Sequence, residues 1–268
     1  MKRAVLFQFH KHFRVCRSHV QLLSAFNPDV QIFGLFGGNE KLFSVIEKTA
    51  SLLFGSSLTD LYCISGQSGR WKRDNTDLAA RLWYSDRGRR YDFDVLHHIQ
   101  WDLVLFAPLG DVYNGVPLDG VGLTGLTPLS SIADKWSWTT REPDRIKWQQ
   151  LLAFARTTFG YDQDPYACQG PGPCLPRAFL EKYAATDVPT LCHDELRLPL
   201  IAQCLGFKLY DTGICRDWLD PSERKFFNAD TFAIESATIK SELAKPGGRR
   251  AFHPFRDTVK ASWAQHAV

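Results

Sequence analysis

Four short segments of the 268-residue chain hold residues whose types and order could do chemistry: LGD at 109–111, LPRAFL at 175–180, HDE at 193–195 and AFHPFRD at 251–257. Asp111 follows an unbroken apolar run at 103–106, with Trp101 and Pro108 on its flanks. Such a run predicts a strand buried on both faces of a parallel sheet. A carboxylate fixed at that strand's carboxyl end, reached through Gly110, can hold a divalent cation that bridges two phosphates. A turn closed by the aspartate side chain would use the same residues. Asp194 and Glu195 open a helix, where carboxylates favour the positive end of the dipole. Two adjacent acids after His193 exceed what a cap needs, and Glu195, with Asp194 as its rival, could take a proton from a hydroxyl.

Other chemistries lack their signatures. No G-x-S-x-G elbow or Walker pattern occurs and no G-x-G-x-x-G loop follows the first strand, so serine-hydrolase, dinucleotide and P-loop readings lose. The seven cysteines are scattered; Cys168 and Cys174 lie too far apart for a zinc ribbon, and reduced, buried thiols are expected.

The elements that must position these residues alternate in kind. Strands are expected at 4–9, 30–36, 61–64 and 101–106, and helices over 12–26, after Gly37-Gly38-Asn39, and after Asp77. This alternation predicts right-handed crossovers and a mostly parallel sheet flanked by helices. Residues 112–140 are rich in Gly, Pro, Ser and Thr and read as loop, followed by helices over 146–159, from near Pro176, and from HDE to Gly206. Composition is 44% hydrophobic with 19 Phe and 8 Trp, enough for a single large core across 1–268. With 32 basic against 29 acidic residues, a general nucleic-acid coat is excluded. No apolar run reaches the length of a membrane span and the N-terminus lacks a secretory apolar core, so a cytoplasmic protein is expected.

The order of the four segments resembles the GT-A class of nucleotide-sugar-dependent glycosyltransferases. The resemblance implies an α/β, Rossmann-type single domain, with a nucleotide-sugar-binding half at 1–111 and an acceptor-binding and catalytic half at 112–268. In that class an Asp-x-Asp motif ends a central strand, and here Asp111 stands for its last aspartate while Leu109 replaces the first. The resemblance assigns His253, followed by Pro254, as the second ligand of Mn²⁺ or Mg²⁺. It makes Glu195 or Asp194 the catalytic acid–base group and places the donor against Gln8, Phe9 and His10 after the first strand. Arg14 on the next helix, Asp74, Asp77 and Arg81 around the third helix, and Arg177 are further donor contacts. Trp136 and Trp138 offer stacking surfaces for an acceptor. The donor expected is a nucleotide diphosphate sugar; the acceptor is a hydroxyl on a small molecule, glycan, protein or modified DNA base. A nucleotidyltransferase or a non-catalytic nucleotide-sugar-binding module is the alternative. The former calls for a Gly-rich loop after the first strand, where this chain has QFHKHFR.

Overall fold

The computed structural model describes residues 1–217, 219–229, 232–259 and 263. The first half builds the parallel part of the fold: β1 (Arg3–Phe9), α1 (Phe13–Phe26), β2 (Gln31–Phe36), α2 (Phe43–Phe54), β3 (Asp60–Cys63), α3 (Gly69–Asp74), α4 (Thr76–Asp86) and β4 (Val95–Gln100). Both β1 and β2 are apolar runs because each is covered on both faces. Along β1, Val5, Phe7 and Phe9 pack with Cys16, Val20 and Leu23 of α1, whereas Ala4 and Leu6 pack with Leu78, Ala79 and Trp83 of α4. The strand's two-residue period thus divides one apolar run between two layers.

The second half adds β5 (Val104–Leu105), α5 (Leu109–Val112), β6 (Val121–Pro128), α6 (Ser137–Thr140), α7 (Asp144–Phe159), β7 (Tyr166–Pro176), α8 (Arg177–Ala185), α9 (Asp194–Cys204), β8 (Leu209–Asp211), α10 (Ser236–Leu243) and β9 (Ala251–Phe252). Seven strands form one sheet in the order β3-β2-β1-β4-β7-β6-β8. β7 runs antiparallel to both its neighbours, β4 and β6; the other pairings are parallel. The fold is therefore α/β with a mostly parallel central sheet flanked by helices, as expected.

One strand differs from the reading of the sequence, and it moves the site. The fourth central strand is β4, VLHHIQ, rather than residues 101–106. His97 and His98 interrupt its apolar pattern, yet both are buried. The apolar run after Trp101 instead supplies β5, which pairs antiparallel with β9 in a separate two-stranded sheet. That small sheet packs with Leu22, Ile239, Leu243 and Phe255 in a peripheral core. The loop expected over 112–140 contains the central strand β6. The Gly/Pro turn expected before α8 is part of the long, bulged β7.

Candidate active site

The carboxyl ends of β1, β2 and β4 open into a cleft of about 1340 Å³. Gln8 and His10 after β1, Gly37 and Gly38 after β2, and Gln100 to Asp102 after β4 line it. Its remaining wall is α3, whose six residues contribute Arg70, Lys72 and Arg73. Lys11, Lys41 and Arg256 add further cations, against Glu40 and Asp102 as the acids. The balance suits a polyanion. Lys72 is 1% exposed, and its ammonium donates to Gly38 O at 3.3 Å. Gln8 links the floor: its Nε2 donates to Lys72 O at 3.0 Å, and its Oε1 lies 2.8 Å from His98 Nε2. Burial pushes the His98 imidazole down to about 4, so His98 is neutral and donates to Gln8. Gly38 is required here, because a side chain would run into the Phe36 ring at 2.4 Å and His10 O at 2.9 Å.

A second cleft of about 430 Å³ adjoins the first, and Arg73 and Gln100 line both. It holds Trp136 and Trp138, Gln169 to Pro171 of β7, the His193-Asp194-Glu195 segment, and His253. Asp102 from the first cleft meets His253 from the second, with Asp102 Oδ1 3.5 Å from His253 Nε2. The His253 Nδ1 lies 2.8 Å from Asn228 O, so Nδ1 carries a proton and donates it to that carbonyl. That leaves Nε2 facing the Asp102 carboxylate, and a metal-binding imidazole is likewise fixed by a carbonyl on its other nitrogen. Burial would raise the Asp102 carboxyl, but His253 and Arg256, whose Nε is 3.4 Å away, hold it below the usual carboxylate range. Among the described residues no three His, Cys, Asp or Glu side chains gather as a complete metal cage. Asp102 and His253 fit a hard divalent ion whose other ligands are phosphate oxygens and water.

The acid pair is held at the start of α9. Asp194 Oδ2 accepts from Thr76 N at 3.0 Å and from the Thr76 hydroxyl, while Oδ1 lies 2.8 Å from His193 Nδ1. Glu195 Oε2 accepts from Trp138 Nε1 at 2.9 Å and Oε1 from Gly170 N at 3.2 Å. Burial would depress the His193 imidazole, yet the carboxylates of Asp194 and Glu195 raise it to about 9. It is therefore an imidazolium, ion-paired with Asp194, and cannot also accept from Glu195 N, 3.4 Å away. Asp194 is buried, but His193 and the Thr76 hydrogen bonds hold it below the usual carboxylate range. Glu195 is shifted upward by its own burial. Pro199, four residues on, has no N–H for the Glu195 carbonyl, which accepts instead from the Cys168 thiol at 3.6 Å.

Several expected site residues lie elsewhere. Asp111 is exposed on α5 and lines neither cleft; it was placed by a strand that is not in the central sheet, and Asp102 takes its position beside His253. Asp77 is sealed in an ion pair with Arg197, whose Nε and Nη2 reach its oxygens at 2.9 and 2.5 Å, and Tyr183 Oη donates to it at 2.6 Å. Arg81 donates to the carbonyls of Tyr183 and Thr186. Arg177 holds the carbonyls of Tyr91 and Arg89, near the amino end of β4 and so across the sheet from the cleft. The Phe9 ring packs among Phe13, Phe36 and Phe54 in the core, and Arg14 is exposed on α1 outside the cleft walls. Asp74 acts one step back, accepting from Arg70 at 3.3 Å and Arg73 at 2.8 Å. Gln8, His10, Asp194, Glu195, His253, Trp136 and Trp138 do line the two clefts. Sequence reasoning missed Lys72, Arg73, Thr76, Gln100, Asp102 and Arg256. The signal for Asp102 was available as an acid two residues after the VLHHIQ strand.

No protein-family model matches the sequence, and no curated protein matches it. Solved structures similar in fold include the galactosyltransferase LgtC in complex with donor and acceptor sugar analogues, at 12% identity and a TM-score of 0.37, over 69% of this chain and 60% of that one. The bifunctional glycosyltransferase WbbM matches over 94% of this chain and 45% of its own, at 13% identity and a TM-score of 0.44. The mannosyltransferase PcManGT from Pyrobaculum calidifontis, in complex with GDP-Man and Mn²⁺, matches at 11% identity and a TM-score of 0.43, over 78% and 54%. The chain thus spans 45% to 60% of the length of these three structures. Among the described residues, no helix is long and apolar enough to cross a membrane.

Proposed function

We propose that the protein is a glycosyltransferase that moves a sugar from a nucleotide diphosphate sugar to an acceptor hydroxyl, assisted by Mn²⁺ or Mg²⁺. The observation that carries this reading is the 3.5 Å pair of Asp102 and His253 where a basic cleft meets a cleft holding a buried glutamate. A binding module needs the first cleft only, whereas a transferase needs both, joined at the reacting bond.

Residues up to 111 supply most of the donor cleft, and residues from 112 supply most of the second. Lys72, Arg73 and Arg256 would hold the diphosphate, and Asp102 and His253 the cation. When bound, that cation neutralises charge on the departing diphosphate. Trp136 would flank the acceptor, with Trp138 beside it. Glu195 is favoured over Asp194 as the group that takes the acceptor's proton. Both acids line the second cleft, but the Asp194 side chain is 3% exposed and that of Glu195 12%, so Glu195 offers the more accessible carboxylate.

The test is Glu195→Gln, which keeps size and one acceptor oxygen but removes the base. Turnover should fall by about 10²- to 10⁴-fold, the usual worth of general-base catalysis, with donor affinity unchanged. Wild-type turnover in this variant would dismiss Glu195 as the base.

A further inference from the structure

Trp138 has a shape problem as a stacking platform, because one face of its indole is already covered. The His193 ring lies parallel to it, 13° off, with centroids 4.5 Å apart. Its single donor, Nε1–H, is spent on Glu195 Oε2 at 2.9 Å. We infer that Trp138 is a positioning residue for the Glu195 carboxylate, and through it for the transfer reaction, rather than an acceptor platform. This inference rests on the proposed role of Glu195.

A glutamate has three rotatable bonds, and burial alone does not choose where its two oxygens point. Here one oxygen is pinned by the backbone N–H of Gly170 on β7 and the other by the indole of Trp138 on α6. Both donors favour the ionised form. The stacked imidazolium adds a second clamp, since a cation over an aromatic face is attracted by the ring quadrupole. His193 is in turn fixed by Asp194, and Asp194 by Thr76, which lines the donor cleft. The chain Thr76–Asp194–His193–Trp138–Glu195 therefore runs from the donor cleft to the base without a gap. Two of its links depend on one indole.

Trp138→Phe and Trp138→Leu separate these links. Phenylalanine keeps a ring for His193 but deletes the N–H; leucine removes both. The other charged groups facing Glu195 stay in place: His193 and Asp194 on its own helix, the buried Arg197 behind them, Arg73 and Asp74 from α3, and Arg224 and His253 across the cleft. In Trp138→Phe the acid limb of the kcat profile should move up by about one pH unit, as expected for the loss of one hydrogen bond to a charged group. Activity on that acid limb should fall about tenfold and recover as the pH rises above it, with acceptor KM little changed. Trp138→Leu should shift the same limb further. The Glu195 carboxyl, followed by carbon-13 NMR in the protein without substrates, should titrate higher in Trp138→Phe by the same amount. A raised acceptor KM with a wild-type pH profile and an unmoved Glu195 titration would overturn the inference and return Trp138 to acceptor stacking. An active Glu195→Gln enzyme would instead remove the base itself. The NMR titration distinguishes these failures, because it reads the clamp without catalysis.

Discussion

Replacing Asp77 by alanine separates a structural from a ligand-binding reading most sharply. Its carboxylate accepts from Arg197 Nε at 2.9 Å, Arg197 Nη2 at 2.5 Å and Tyr183 Oη at 2.6 Å, and neither side chain of the ion pair has any exposure. Without it, Arg197 keeps only the carbonyls of Leu191 and Cys192, both on Nη1 at 2.8 Å. Three donors lose their acceptor, and a guanidinium stays buried with only Asp194, beyond hydrogen-bond reach, as counter-charge. Breaking such a pair from one side costs about 3–5 kcal/mol. For a chain of 268 residues this corresponds to a fall in Tm of roughly 6–10 °C. Asp77→Asn, which keeps one acceptor oxygen, should lose less. Asp77→Asn combined with Arg197→Met should recover part of the loss, because the uncompensated charge is gone. Thermal and urea denaturation give the stability, and calorimetric titration with a nucleoside diphosphate gives donor affinity, which should be unchanged at temperatures where the variant is folded. A Tm within about 2 °C of wild type together with lost donor affinity would refute this reasoning and restore Asp77 as a donor contact.

Three further outcomes follow from the same geometry. Because His193 is raised to about 9 in the folded protein from an ordinary 6.5, its stabilisation is full below about pH 6.5 and lost as pH rises through 9. Glu195, raised by burial, acts in the same direction, while depressed Asp194 contributes above its ordinary 3.8 and fades as pH falls below it. The urea midpoint of wild type should therefore drop between pH 6 and 9.5, and His193→Asn should flatten that drop; equal slopes would contradict the assignment. Lys72→Met should weaken nucleoside diphosphate binding by about tenfold, a loss typical of one charge-assisted contact, while leaving Tm unchanged or higher because a buried ammonium is removed. Lower stability with intact affinity would show that Lys72 is a structural cation. Glu195→Gln, as set out above, should reduce turnover and spare donor binding.

What could be read from the sequence divides along physical lines. Strands β1 and β2 were legible because burial on both faces leaves an unbroken apolar run, and the HDE acids because a helix start has its own chemistry. Strand β4 was not, since His97 and His98 look polar in sequence but are buried in place. One imidazole meets Gln8 and the other Arg3, partners 90 and 94 residues away. That single strand displaced the metal candidate from Asp102 to Asp111. The Asp77–Arg197 pair, separated by 120 residues, has no local signature either, and Asp77 beside a helix start read as a free acid. The basic residues of α3 that line the first cleft escaped notice because a six-residue helix gives too few turns for a period.

If Asp102 and His253 together hold a cation where the two clefts meet, nucleotide and metal should stabilise the protein jointly. The direct measurement is the thermal shift given by UDP and by GDP, with and without Mn²⁺, in wild type, Asp102→Asn, His253→Ala and Asp111→Ala. A manganese-dependent stabilisation by at least one of the two nucleotides is expected, surviving Asp111→Ala and disappearing in Asp102→Asn and His253→Ala. Its loss in Asp111→Ala, or its persistence in Asp102→Asn, would contradict it.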